Sequence, residues 1–420
     1  MQKRLLSTAL LPFLLALSVP AQAVDLTWSG FGTFGYTRSD QSFNYQRFIS
    51  DDGTLKRDTV VGAQVDARFS QEWSATVQAK AAPSDHSDSQ WQASVAWAFV
   101  SWRPNDDWLI RAGKIRLPMM LNTENSDVGA TYDFARLPQE VYSIAPTTDV
   151  IGVSISKTWL GESFDWIAEA YTGEASTYWR YYGRNRTMET RSSGSWFLPI
   201  DMKSSGLVLT ARSLEHIFRI GYHEGQASRP GTKTGAGFDF GACSAPFGAS
   251  NCYNLSEGGV DKLRVPILTL GASVSLPAEF RLTGEYAKAK VESASRGLSR
   301  WGAYVALTKR IGAWAPYISY AKTKSTDEAL GFYQRINSNA TALPAPLRSS
   351  QTLMADITTP YDQSTMALGT SFWVTSKSVI KAELSQVRTG VASSFVDAPA
   401  GSDSGNRHIN VFSLSYSFSF

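Results

Sequence analysis

Past residue 23 the chain contains no uninterrupted run of the roughly 18 apolar residues that a membrane-crossing helix requires. It has two cysteines and four histidines in 420 residues, and its formal net charge is only +3. Each scarcity closes a class of function. Two sulfurs with no His or acidic cluster nearby cannot fill a tetrahedral zinc shell, so no metal site is expected. A near-neutral balance gives no electrostatic footprint for nucleic acid. His86, His216, His223 and His408 are scattered, and no Gly-x-Ser-x-Gly element surrounds a serine, so hydrolysis by a Ser–His pair lacks its parts. No Pro/Ser linker or low-complexity tract divides the chain, which favours one large domain with no cofactor.

What is present begins at the N-terminus. Met1-Gln2-Lys3-Arg4 precedes an apolar stretch over 5–19, interrupted by Pro12, and Pro20 then leads into Ala21-Gln22-Ala23. The basic start, apolar middle and small-x-small end predict a secretory signal peptide over 1–23, with the mature chain starting near Val24. Export to an oxidising compartment predicts that Cys243 and Cys252 form a local disulfide.

The remaining residues, 24–420, alternate. Val61, Ala63, Val65, Ala67 and Phe69 lie on one face, with Gly62, Gln64, Asp66 and Arg68 on the other. This period of two marks a half-buried strand. It recurs at 26–37, 59–70, 72–81, 91–103, 108–116, 149–159, 164–173, 206–212, 216–224, 263–276, 280–290, 300–309, 314–322, 363–373, 379–388 and 408–420. About 16 strands follow, joined alternately by short turns and long polar loops, which is the loop pattern of an all-β transmembrane antiparallel barrel. Aromatics bracket the short turns (Phe69, Trp73, Trp102, Trp108, Trp159, Phe164, Trp314 and Trp373) and predict a girdle at the periplasmic interface. Hydrocarbon tolerates no open sheet edge, so the sheet must close, and a barrel of this size encloses water.

The last strand carries Phe412, Leu414, Tyr416, Phe418 and Phe420 on one face and ends the sequence on an aromatic ring. It resembles the terminal strand of Gram-negative outer-membrane porins, with the phosphate-selective porins as a second family for comparison. The resemblance implies a cell outer-membrane location, recognition of Phe420 by the barrel-assembly machinery, contact with lipid and lipopolysaccharide, a homotrimer, and diffusion of small hydrophilic solutes or ions. It also implies that the segment after the fifth strand, 117–148, folds inward as a constriction. That segment lacks the Pro-Glu-Phe-Gly-Gly tip of the enteric general porins, so no constriction residue carries over one for one.

Polarity places Arg68, Lys80, Arg111, Arg212, Arg219, Arg281 and Lys381 on the inner face, with Asp66, Glu169, Glu285 and Glu383 among them. The segment itself is acidic, with Glu124, Asp127, Asp133 and Glu140 against Arg136. Carboxylates facing wall cations across a water gap would set up a transverse field that selects among ions. A stretch over 176–202 interleaves Arg180, Arg184, Arg186 and Arg191 with Tyr178, Trp179, Tyr181 and Tyr182, suited to gathering anions, binding lipopolysaccharide phosphates or packing on a neighbouring subunit. Rival readings are a substrate-specific channel, an outer-membrane enzyme, and an adhesin or receptor acting through its outer loops.

Overall fold

The computed structural model describes residues 24–185, 193–232, 240–242, 253–255, 263–292, 298–339 and 345–420. Alternation becomes a two-faced wall in β1 (Asp25–Ser39), β2 (Val60–Arg68), β3 (Trp73–Pro83), β4 (Trp91–Trp102), β5 (Trp108–Arg116), β6 (Asp149–Trp159), β7 (Asp165–Gly183), β8 (Gly194–Arg212) and β9 (His216–Ser228). A two-stranded ribbon, β10 (Phe240–Ala242) and β11 (Tyr253–Leu255), stands apart from the wall. The wall resumes with β12 (Leu263–Leu276), β13 (Phe280–Ala289), β14 (Arg300–Lys309), β15 (Trp314–Ser325), β16 (Tyr361–Thr375), β17 (Ser378–Ser393) and β18 (His408–Ser419). The helices α1 (Gln139–Tyr142), α2 (Asp327–Asn339) and α3 (Ala345–Ile357) lie in the connections.

Sixteen strands form one closed barrel, and every neighbouring pair in it is antiparallel. Closure is made by β1 against β18, from Phe31↔Ser419 to Ser39↔Val411, and Gly30 exchanges both backbone hydrogen bonds with Phe420. The terminal aromatic thus sits at the seam. Leu207, Leu209, Ile220, Leu368 and Leu384 face outward and exposed, as lipid contact requires. Trp73 stacks on Trp102 at 5.8 Å, and Trp314 meets Phe372 at 4.7 Å, beside short turns. Trp373 departs from the expected girdle. A register irregularity closes β16 there, and its indole Nε1 turns inward to donate to Asp133.

Two stretches differ from the sequence expectation, and one set of expectations lies outside the described residues. The stretch over 176–202 is largely strand, because β7 and β8 stay paired from Asp165↔Arg212 to Gly183↔Gly194. Between β15 and β16 the chain forms α2 and α3, whose Phe332, Tyr333, Ile336, Met354 and Ala355 bury against Tyr181 of β7. The signal peptide and both cysteines lie outside the described residues, although Ala242 and Tyr253, next in the chain to Cys243 and Cys252, are cross-strand partners.

Candidate permeation site

The segment 117–148 leaves the wall after β5 and crosses the lumen. Its Ala135 N–H donates to the Tyr317 hydroxyl at 2.9 Å, and Tyr317 stands on β15, eight strands from β5 in either direction around the ring. Apolar contact holds one flank. Leu117, Met119, Met120, Phe134, Leu137, Val141 and Ile144 are buried with wall residues Tyr171, Val265, Ile267, Tyr304 and Tyr317 in one cluster. Side chains of this size each stabilise the docked state by roughly 1.5–3 kcal/mol before ordering entropy is subtracted. α1 comes closest to the wall at Gly302, where a Cβ would overlap the Glu140 carbonyl. Only glycine admits a backbone at that distance.

Polar anchors complete the docking. Arg136 donates to both Asp58 oxygens, at 2.9 and 2.5 Å, and to Thr37 and Ser413 at 3.0 and 3.1 Å. Glu285 accepts from the Leu121 N–H at 2.7 Å, from Tyr142 at 2.7 Å and from Tyr304 at 2.8 Å. Lys381, only 1% exposed, donates to the Gly129 and Phe134 carbonyls at 2.6 and 2.8 Å. Its ammonium thus braces the segment.

The expected charged residues fall into three groups. Lys80 pairs with Asp127 at 2.7 Å, with Arg116 on the same carboxylate, and Arg111 lies 3.8 Å from Glu124. Arg219 donates to the Met120 carbonyl at 2.8 Å. Asp133 accepts from Ser371 and Trp373 at 3.0 Å each and lies 3.7 Å from Arg310, while buried Glu140 accepts from Gln363 and Thr365. Arg68, Arg212 and Arg281 stay near the rim of short turns, where Arg281 braces Ser273 and Ser275. The expected transverse field is therefore corrected. Lys80 on β3 and Arg116 on β5, two strands apart in the ring, share the Asp127 carboxylate, so the field of this group is largely cancelled at contact distance.

On the segment's other flank lies a cavity of about 340 Å³, bounded by Thr33, Asp58, Pro83, Asp127, Tyr132 and Ser417 among others. Its lining holds three cations, Arg57, Arg136 and Lys381, against two carboxylates, Asp58 and Asp127. Arg57 has no acidic hydrogen-bond partner among the described residues and donates twice to the side-chain amide oxygen of Gln46. Burial and the neighbouring Arg136 bring it down to about 10, so it stays charged at neutral pH. Asp58, Arg57 and Arg116 were absent from the sequence-derived set. Two lie in an aperiodic loop and the third ends a strand, positions where alternation says nothing.

Burial pushes the Asp58 carboxyl up, but the Arg136 guanidinium overrides it and holds the group at about 2. A depressed carboxylate stabilises the folded state above its unfolded value and loses that contribution as pH falls through the folded one. Docking of the segment is thus expected to persist to about pH 4 and to weaken by about 2 kcal/mol towards pH 2. Limited proteolysis of the segment across that range checks it, and equal cleavage rates at pH 4 and 2 would contradict it.

Above the segment the outer loops interlock. Arg180 of β7 forks onto Asp397, in the β17–β18 connection, at 2.9 and 2.6 Å, and reaches Asp88 of the β3–β4 connection at 2.9 Å. β7 and β17 are eight strands apart both ways, so this contact spans the mouth. Arg184 adds Asp356 at 2.7 Å, the Ser402 carbonyl at 2.9 Å and Asn337 at 2.8 Å. Both arginines are engaged internally, while Arg186 and Arg191 lie outside the described residues.

No protein-family model matches the sequence, and no curated protein matches it. Solved structures do. The chain is similar to OprB of Pseudomonas putida (TM-score 0.55, 10% identity, covering 94% of each chain) and to the outer membrane channel DcaP of Acinetobacter baumannii (0.53, 11%, 94% of this chain and 97% of that one). It is also similar to an anion-selective porin from Comamonas acidovorans, at TM-score 0.51 and 11% identity, covering 94% of this chain and 100% of the other. A closed ring of sixteen antiparallel strands with a lipid-facing apolar belt, superposable on these proteins over nearly its whole length, has the fold of the Gram-negative outer-membrane porins.

Proposed function

We propose that the chain is an outer-membrane porin that passes small hydrophilic solutes and prefers anions. The observation that carries this is the polar cavity beside the crossing segment, where Arg57 stands as a cation without an acidic hydrogen-bond partner among the described residues. Passage rather than catalysis suits the barrel: His223 is 1% exposed, with both ring nitrogens taken up by Tyr171 and Thr269. Purified mature protein, beginning near Val24, is expected to open ohmic channels in planar bilayers with a reversal potential on the anion side in a KCl gradient. Arg57→Gln should move the permeability ratio roughly threefold towards cations at low salt, and less at high salt. Absence of channels would end the porin reading, whereas an unmoved reversal potential would end only the role of Arg57. Lys80 and Asp127 form a contact pair, so neutralising either one frees the other and gives a mixed result.

A homotrimer is part of the proposal. β2 and β3 present Ala63, Val65, Ala67, Ala75, Val77 and Ala79 outward in register, a low surface on which a second barrel can approach closely. β8 and β9 present Leu207, Leu209, Phe218 and Ile220 instead, a bulky surface suited to lipid chains. A structure described as a trimer form of the Vibrio cholerae outer membrane protein OmpT shares the fold, at TM-score 0.52 and 11% identity. The Cys243–Cys252 disulfide, insertion through Phe420 and contact with lipopolysaccharide belong to the same proposal.

A further inference from the structure

We propose that the chamber between the crossing segment and the interlocked outer loops binds a small organic anion with an apolar body, an aromatic monocarboxylate in chemical class. The proposal rests on the porin reading and names the solute. The chamber has a volume of about 280 Å³, with Ile144, Trp179, Tyr181, Val265 and Tyr361 among its walls. That lies just under the range of drug-sized ligand pockets and suits a single ring.

Two oddities meet there. Arg300, 6% exposed, lies with its guanidinium carbon 3.7 Å from the Tyr361 ring centre, and its Nη2 donates to the Ser143 carbonyl at 2.6 Å. Its Nη1 is buried without an acceptor, and it has no ion-pair partner among the described residues. Glu140, the carboxylate that acts on it, is taken by Gln363 and Thr365. Thr359, 7% exposed, has φ +46° and a hydroxyl that is also buried without a partner. A β-branched residue is disfavoured at positive φ, and an unsatisfied buried donor is destabilising. Such features persist where a site uses them.

An entering carboxylate supplies the acceptor that both groups lack, after a small rotation of the guanidinium, and its ring meets the aromatic wall. Arg180 also borders the chamber but is held by Asp88 and Asp397. One guanidinium with no ion-pair partner among the described residues compensates a monoanion and leaves a doubly charged phosphate under-compensated.

The probes are benzoate, benzyl alcohol, acetate and inorganic phosphate, read by saturation-transfer NMR on the full barrel in non-ionic detergent. Benzoate is expected to bind saturably, with benzyl alcohol and acetate each about tenfold weaker. Arg300→Gln should weaken benzoate about tenfold and Thr359→Val a few-fold. Heat-modifiable migration on SDS gels reports whether Arg300→Gln folds, and if it does not, Thr359→Val and the probe series decide. Benzoate binding no better than benzyl alcohol, or unchanged in the folded variants, overturns the site, and phosphate binding more tightly than benzoate overturns the ligand class. A barrel that binds benzoate yet carries no KCl current loses the porin reading and keeps the site. One that conducts without binding benzoate loses the site alone.

Discussion

Arg136→Ala is expected to raise the mean single-channel conductance at neutral pH and to add millisecond current noise absent from the wild type. The variant deletes four hydrogen bonds that tie the segment to Asp58, Thr37 and Ser413, and leaves the Asp58 carboxylate without its counter-ion. Breaking a buried pair from one side costs about 3–5 kcal/mol, more than removing both partners together. The apolar flank from Leu117 to Met120 stays seated, so release is confined to the stretch around Arg136. Asp58→Asn should give a milder version, and the double variant should recover part of the loss in a double-mutant cycle. Arg136→Ala should also move the proteolysis transition to higher pH, because Asp58 then keeps only Arg57 and Thr37 to hold it down. Superposable current traces for variant and wild type would show that the pair does not restrain the segment.

Arg180→Ala is expected to raise the liposome-swelling rate for a trisaccharide several-fold while changing that for a monosaccharide little. Arg180 is hydrogen-bonded to both Asp397 and Asp88, and without it Asp88 keeps its ion pair with Arg47 at 2.7 Å while Asp397 loses its forked partner. Removing the fork deletes the direct tie from β7 to Asp397 and Asp88, so the β7–β8 hairpin should loosen on that side while Arg184 still holds Asp356 and Ser402. Arg180→Lys should rescue poorly, since a single ammonium cannot reproduce the planar fork that serves two carboxylates. Identical size cut-offs in wild type and Arg180→Ala would mean that these loops do not limit entry.

The wall was legible because lipid imposes a simple rule. β12 and β14 have the bounds that alternation predicts, since one face meets hydrocarbon and the other the lumen. The rule fails where both faces meet protein. Beyond the membrane, Tyr181 packs under α2 and α3 while Tyr178 lies 5.2 Å from His86, so alternation vanishes and the stretch reads as loop. The inward course of 117–148 was implied by the family resemblance, which says nothing of its anchors. Asp58 and Arg136 are 78 residues apart, and no local pattern encodes their meeting. Glu140 read as a water-facing charge because composition does not reveal that Gln363 and Thr365 wait on the far wall.

A hollow cylinder of hydrogen-bonded strands bends most easily by flattening, because ovalisation changes strand-to-strand angles without breaking any ladder. The span from β5 to Tyr317 on β15 acts as a tie rod across one diameter, and the Arg180–Asp397 contact ties another at a different height. Two crossed ties block the lowest-energy deformation of the ring. Lateral pressure from a thinner or stiffer bilayer should therefore leave the cross-section round and the conductance nearly constant, whereas a barrel with both ties cut should become a compliant tube whose current follows the mechanics of the surrounding lipid.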